Sequence, residues 1–438
     1  MVNHTDWEVL TLAQKGSPMG DLLRCYWIPV LLTEDLQPGG SPQRVRILNE
    51  DLIAFRNSDG TPGLLSDRCA HRGASLYFAR NEECGLRCVY HGWQYDATGQ
   101  CVDMPNEPPK SRFKEKIKIA GYPCVDYGGM IWSYMGTGKP PELPAFEWAQ
   151  VPPENRLITK RVQDTNWFQA LEGGVDSSHI SFLHAPLQTE YASDWPSWIQ
   201  SSADFRLADR HPHFEVVRTD FGVKIAARRD AGPDNYYWRI SNFFMPFFTM
   251  VPAGGEDPHY PGKFFVPMDD NHCVNWSVNW HPARALRESE IEELRRGDGA
   301  HYCDYLPARP DLPYGDIRCA DNAKNNYDRD LKAQSERRYF GVKGVGLQDQ
   351  SIQESQGEVA DRTAEHLGSA DLAVIEVRRL LREDAERVRQ GSNDPTGLHH
   401  PDAYQVRGYG IVLPRSASWV DETDQLMAAE IGVGRSSV

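Results

Sequence analysis

With 438 residues the chain is long enough for about two to three domains and more than one hydrophobic core. Its formal net charge of −15 argues against a nucleic-acid partner, since phosphate neutralisation needs a basic face. It holds no run of about 18 apolar residues, and its opening MVNHTDWEVL lacks a basic stretch ahead of an apolar one, so no membrane span or secretory leader is expected and the chain reads as cytoplasmic.

From Trp27 to about Tyr134 short apolar runs alternate with turns. RVRILNEDLIAFRNSDGTPGLLSDRC carries two strand-like runs around Asn49–Asp51 and a third after the Ser-Asp-Gly turn; YPCVDYGGMIWSYMG has the same pattern. A small all-β domain is expected over 1–150. GTGKPPELPAFEWAQVPPENR is proline-rich and reads as a linker. Beyond it, DTNWFQALEGGVDSSHISFLHAP predicts a helix ended by Pro186. Aromatic-rich strand candidates follow in HFEVVRTDFGVKIAARR, NYYWRISNFFMPFFTMVP and CVNWSVNWHP. LRESEIEELRRGD predicts a surface helix. SADLAVIEVRRLLREDAERVRQG predicts another, with Leu372, Ile375 and Leu380 at helical spacing and Ser369 as its N-cap. Strands flanked by helices over 151–438 make the second domain, and the whole chain, α+β. GVKGVG has neither the glycine spacing nor the βαβ context of a dinucleotide site, so no nicotinamide or flavin fingerprint is present.

The nine cysteines are odd in number and come without a secretory leader, which favours metal binding or plain burial over a disulfide framework. In RCAHRGASLYFARNEECGLRCVYHGWQYD, Cys69-x-His71 precedes Cys88-x-x-His91, with 16 residues between the pairs. A Cys2His2 zinc finger keeps both cysteines in one pair and both histidines in the other. A Rieske-type [2Fe–2S] centre needs two thiolates on one iron and two imidazoles on its partner. Two loops that each deliver one Cys and one His meet the second requirement, so the mixed order favours the cluster over zinc.

This stretch resembles the Rieske domain of the bacterial aromatic-ring-hydroxylating oxygenases, in which the Tyr-His-Gly-Trp-x-Tyr-Asp run is typical. Respiratory Rieske proteins add a further, disulfide-linked cysteine to each loop. Here His71 is followed by RGASL and Cys88 by VYH, and Cys84 and Cys101 read as ordinary thiols. The resemblance implies a low-potential cluster that donates electrons to an oxygen-activating site.

EGGVDSSHISFLH offers that site. Asp176 and His179 are three apart and share a helix face, whereas His184 lies about 140° further round an unbroken helix. Both histidines reach one ion only if the helix is irregular or ends between them. Two imidazoles and a carboxylate form the facial triad of non-heme Fe(II) oxygenases. Asp-x-x-His-x-x-x-x-His matches the oxygenase family's motif, where the aspartate bridges a cluster histidine of a neighbouring subunit to an iron histidine. By resemblance, Asp176 links His91 of one subunit to His179 of the next. A carboxylate suits this role because it orients an imidazole and raises its basicity. The resemblance also makes Asp349, in QDQSIQES, the third ligand, with Asp361 as a loop and Asp371 as a helix-start competitor. Glu172, one turn before Asp176, either tunes the relay or is a solvated or hydrogen-bonded glutamate.

SPMGDLLRCYWIPV and EHLGSAD are similar to the phthalate dioxygenase branch. That implies an aromatic carboxylate such as a phthalate or benzoate, attacked by cis-dihydroxylation, with monooxygenation or O-demethylation as the alternative. It also implies a homotrimer or stacked trimers, served by a separate NAD(P)H-dependent flavin/iron–sulfur reductase. A carboxylate needs a cation in an otherwise apolar pocket, ideally an arginine that holds both oxygens. Arg239, in YYWRISNFF, is the first candidate; Arg210 and His213, in DRHPHFEV, come next. The family often has arginine where His213 stands, which counts against phthalate itself. Ser177 and Ser178 are candidate donors beside the iron helix. Phe243, Phe244, Phe247 and Phe248 read as core, and TEYASDWPSW as a lid or surface loop.

Overall fold

The computed structural model describes residues 7–194, 200, 202–297, 299–302, 304–308 and 314–429. They form two compact units: one of Leu12–Leu143 with Pro267–Asp270, the other of Pro144–Val266 with the residues from Asn271 onward and those up to Thr11. Among the described residues no helix is long and apolar enough to cross a membrane.

The first unit is built of short strands. Met130–Tyr134 runs between Trp27–Leu32 and Cys124–Tyr127, antiparallel to both. Gln43–Ile47, Glu50–Arg56, Pro62–Ser66 and Gly121–Tyr122 make a second sheet, and Arg80–Glu82, Gly85–Arg87, Gln94–Tyr95 and Cys101–Asp103 a third. Ile53, Phe55, Leu65, Leu76, Leu86 and Tyr95 share one core with Cys69 and Cys88. Burying each such aliphatic or aromatic side chain contributes roughly 1.5–3 kcal/mol. The Cys/His loops therefore hang from a packed base.

The second unit centres on an eight-stranded sheet. Its order is Arg156–Gln163, Cys273–Trp280, Tyr260–Pro267, Phe248–Met250, Asn235–Phe244, Gly222–Asp230, His213–Thr219. Tyr409–Pro414 adds to Asn235–Phe244 beside Phe248–Met250. Phe243, Phe244, Phe247 and Phe248 are buried, as expected of core. Helices Trp167–Val175, Val345–Ser355 and Leu372–Arg389 complete the unit.

Several local expectations need correction. The supposed linker is structured in its second half: Glu147–Gln150 is helical, and Trp148 is buried against Phe146 and Phe264. Proline content marked a stiff segment, and its aromatic residues anchor it. The helix expected to run to Pro186 stops at Val175. Gly173 and Gly174 weaken its last turn. Asp176 then turns extended (φ −77°, ψ 124°) and its carboxylate accepts from the backbone N–H of Ser178, an alternative to continued helix. Ser369 does not cap the long C-terminal helix; it opens a short 3-10 turn, and the helix starts at Leu372. Of the residues read as its apolar stripe, Leu380 is buried but Leu372 and Ile375 are exposed; Val374, Val377 and Leu381 carry the packing. Within TEYASDWPSW, Thr189–Asp194 is a 3-10 turn and residues 195–198 lie outside the described residues.

Candidate metal centres and substrate cavity

The two Cys/His loops have the same backbone design. Gly73 N–H donates to Cys69 C=O, and Gly92 N–H donates to Cys88 C=O, each at 2.9 Å. Both glycines sit at positive φ (73° and 77°), which a side chain resists. Each loop closes again further on, through Cys69 N–H to Ala74 C=O and Cys88 N–H to Trp93 C=O. The His71 and His91 rings meet edge-on, 4.4 Å between centroids, and Trp93 stacks on His71 at 4.5 Å. Burial raises the pKa of the Cys88 thiol, and the neighbouring Cys69 adds to the effect. Tyr95 OH lies 3.2 Å from Cys69 Sγ and accepts from Ala70 N–H.

This constellation fits a cluster. The Nδ1 atoms of both His71 and His91 are buried without a hydrogen-bond partner. A buried polar atom without a partner is costly, and a metal on each nitrogen would satisfy both. Among the described residues every cysteine is free, including Cys84 and Cys101, so nothing ties the loops by a disulfide.

In the larger unit the early end of the Trp167–Val175 helix decides the geometry. Asn166 caps its start by accepting from Phe168 N–H. After Asp176, His179–Ser181 makes a 3-10 turn, and Leu183 N–H donates back to His179 C=O. This irregular path returns His184 to His179: their Nε2 atoms are 3.2 Å apart. Asp349, on Val345–Ser355, brings Oδ1 to 2.9 Å from His184 Nε2 and 3.6 Å from His179 Nε2. From the same helix as Asp349, the Gln353 side chain lies over Gly173, where a Cβ would meet its Nε2 at 2.1 Å.

The outer nitrogens are engaged. His179 Nδ1 lies 3.0 Å from Asp176 Oδ2, and His184 Nδ1 lies 2.7 Å from Gln348 Oε1. Each imidazole thus donates outward and turns a lone pair on Nε2 inward, as a metal ligand must. Burial pushes the pKa of His179 down, but Asp176 and then Asp349 outweigh it and hold it above the ordinary value. Burial lowers His184, and Asp349 only partly opposes it. Burial would raise Asp349, yet Lys263 and the two imidazoles hold its carboxyl well below the usual range. Three converging donors of this kind form the candidate metal group of the unit. Glu172 is a hydrogen-bonded glutamate, not a solvated one: it pairs with Arg362 Nη1 and Arg378 Nε, both at 2.6 Å. Asp361 caps a turn through Thr363 N–H, and Asp371 accepts from Gly368 N–H.

A cavity adjoins the triad, lined by Asp176, His179, His184 and Asp349 together with Ile180, Tyr237, Val251 and Pro252. Arg239 lines it too, its Nη1 anchored on Ser177 Oγ and, at 2.8 Å, on Ser241 Oγ. Among the described residues no carboxylate pairs with Arg239. Ser177 is therefore the anchor of a guanidinium, and Ser178 serves Asp176 through its backbone. Arg210 and His213 are not among the described lining residues. Arg210 lies over the Phe182 ring, and His213 is exposed at the start of its strand. The second lining arginine is instead Arg206, on Ala203–Ala208, whose Nη1 donates to Ile180 C=O and His184 C=O. Gln348, Arg206 and Lys263 escaped the sequence reading.

The Rieske [2Fe-2S] domain family matches residues 26–123, and the family described as LigXa C-terminal domain like matches residues 133–434. The 3-chlorobenzoate-3,4-dioxygenase oxygenase subunit of Comamonas testosteroni is 34% identical over 427 residues, 96% of this chain and 97% of the relative. The phthalate 4,5-dioxygenase oxygenase subunit of Pseudomonas putida is 32% identical over 423 residues, 94% of this chain and 93% of the relative. Dicamba monooxygenase bound to dicamba shares the fold at a TM-score of 0.57 and 18% identity, over 84% of this chain and 99% of that one. Similarity across nearly the full length, with both metal-domain families in sequence, means that the chain belongs to the Rieske non-heme iron oxygenases, oxidoreductases with a [2Fe–2S] cluster and a mononuclear iron, as a terminal oxygenase.

Proposed function

We propose that the chain is the terminal oxygenase of a multicomponent system that adds both atoms of dioxygen to an aromatic carboxylate, giving a cis-dihydrodiol. One juxtaposition carries this reading: Arg239, with no carboxylate partner among the described residues, shares a cavity with the His179–His184–Asp349 triad. The relatives named for chlorobenzoate and phthalate support the same substrate class. Cys69, His71, Cys88 and His91 would hold the cluster, and the triad the iron. Iron bound there supplies dioxygen activation, using electrons from the reduced cluster. Arg206 and Arg239 hold the carboxylate, the apolar wall excludes water, and Gln348 and Asp176 keep the two imidazoles oriented. A separate NAD(P)H-dependent reductase supplies the electrons. Asp176, His179 and Asp349 also border an open groove with Glu172, Leu183, Ile352 and Arg378. This second exposure supports Asp176 as the entry for electrons from His91 of a neighbouring chain in a trimeric assembly.

The test is turnover of a panel of aromatic acids with a matched reductase, with products identified by mass after heavy-isotope dioxygen. Two labelled oxygens in a ring diol support the reading; loss of a methoxy carbon as formaldehyde replaces it with O-demethylation. Anaerobically purified protein should be red-brown with about three irons per chain. His179→Ala and His184→Ala each keep the colour and lose about one iron and all product; retained product formation sinks the assignment.

Tyr95 offers a milder test. Its hydroxyl at Cys69 Sγ stabilises added electron density on the cluster, since hydrogen bonds to sulfur raise the potential. Tyr95→Phe should lower the potential by about 40–60 mV, equivalent to a hydrogen bond of roughly 1–1.5 kcal/mol. Redox titration of the visible spectrum reads the shift, and an unchanged potential refutes it.

A further inference from the structure

We infer that Lys263 is a positioning residue for the mononuclear iron: it occupies the outer oxygen of Asp349 and so restricts that carboxylate to ligation through one oxygen. The inference rests on reading His179, His184 and Asp349 as the ligands. Lys263 lies in Tyr260–Pro267, opposite Thr249. Its Nζ donates to Asp349 Oδ2 at 3.0 Å. Asp349 Oδ1, in contrast, faces His184 Nε2 at 2.9 Å and His179 Nε2 at 3.6 Å. The two oxygens have thus been given separate tasks, one toward the point where the imidazole nitrogens converge and one toward the ammonium. Both side chains are largely withdrawn from water, Lys263 at 16% and Asp349 at 12% exposure, and both line the cavity.

A carboxylate beside a metal turns readily between one-oxygen and two-oxygen binding. A charge-assisted hydrogen bond to one oxygen opposes that turn, because bidentate binding would have to displace the ammonium from a poorly solvated place. Asp349 then takes one position at the metal instead of two, and the remaining face stays open. Lys263 also neutralises the carboxylate, so the triad with its lysine brings no net charge to the iron. His179 and His184 have the corresponding outer partners in Asp176 and Gln348, and Lys263 completes the set with a cation.

Full-length wild type, Lys263→Met, Lys263→Arg and Lys263→Ala are loaded anaerobically with Fe(II). Crystal structures of the loaded proteins then count the Asp349 oxygens on the metal, and near-infrared magnetic circular dichroism counts the ligands in solution. Wild type and Lys263→Arg should show one oxygen, and Lys263→Met a shift to two. Lys263→Ala gives the same reading should Lys263→Met not fold. One oxygen in the variants that lack a cation overturns the inference. A lowered melting temperature with unchanged ligation would then mark the lysine as a plain counter-charge. A wild-type chain that binds no iron at these residues, like a His179→Ala control, overturns the underlying ligand assignment instead.

Discussion

An Asp176→Asn chain should load both iron centres and yet form product about 100-fold more slowly or worse. Asparagine keeps the size and one oxygen of aspartate, so the turn after Val175 survives: a single Oδ1 can still accept from Ser178 N–H, as Asp176 does now at 2.5 Å. The loss falls on the other oxygen. Oδ2 takes the Nδ1 proton of His179 at 3.0 Å and lies 3.4 Å from its backbone N–H. An amide NH2 placed there points protons at a proton. With iron holding Nε2, the Nδ1 proton stays in place, so the amide must swing away from His179 and the link through position 176 is lost while the ligand remains. Removing the charge also removes the larger of the two carboxylate influences, Asp176 ahead of Asp349, that hold the pKa of His179 above its ordinary value. Because Asp176 borders the open groove as well as the cavity, the variant loses the charged link on the electron-entry side. Iron analysis and the cluster spectrum should match wild type. The discriminating measurement mixes fully reduced enzyme with substrate and oxygen: cluster reoxidation should become slow and detached from product formation. Wild-type coupling in this variant would exclude Asp176 from the electron path.

Much of the site was legible because its chemistry is written in residue order. Mixed Cys/His pairs favour a cluster over zinc before any fold is known, and Asp-x-x-His-x-x-x-x-His brings both histidines to one ion only through a broken helix, which the structure supplies at Asp176. Asp349 could be located only through resemblance, since the sequence separation between it and His184 carries no geometric information. What stayed hidden was the outer layer. Gln348 sits in an amide-rich helix where Gln350 and Gln353 look equivalent; only the three-dimensional turn aims Gln348 at His184. Lys263 belongs to the strand Tyr260–Pro267, where a single charge beside the buried Phe264 and Phe265 carries no signal of a metal neighbour in the sequence. Arg206 lies on a six-residue helix with no periodicity long enough to read, whereas Arg210 in the loop after it and His213 at the start of the next strand stand out as charges beside aromatic residues; burial favours Arg206.

Arg239→Met and Arg206→Met should each reduce kcat/KM for an aromatic acid by about 10- to 100-fold, the worth of a charge-assisted hydrogen bond of roughly 1.5–3 kcal/mol. The loss should fall mainly on KM, because the carboxylate keeps its charge from ground state to transition state and its binding is uniform. A neutral ester of the same acid should lose far less, so the variants' preference moves toward it. The electrostatics support this direction. Burial, together with Arg239, lowers Arg206 to about 10 and Arg229 to about 10, and burial lowers Arg239 as well. Arg206 and Arg229 stay protonated at neutral pH, and both feel the repulsion of Arg239. Arg229 is the internal control: its Nη2 donates to Ser177 C=O and Ser181 Oγ, and it is not among the described lining residues. Bound carboxylate relieves the repulsion, so a saturating acid should raise the melting temperature of wild type, by about 2.7 kcal/mol of stabilisation at 100 times Kd. In Arg239→Met that shift should shrink toward zero. As pH rises through about 10, Arg206 loses its proton and affinity for the acid should fall, while affinity for the neutral ester holds level. An unchanged KM for the acid in both variants would separate the cavity's arginines from substrate recognition and leave them as structural cations.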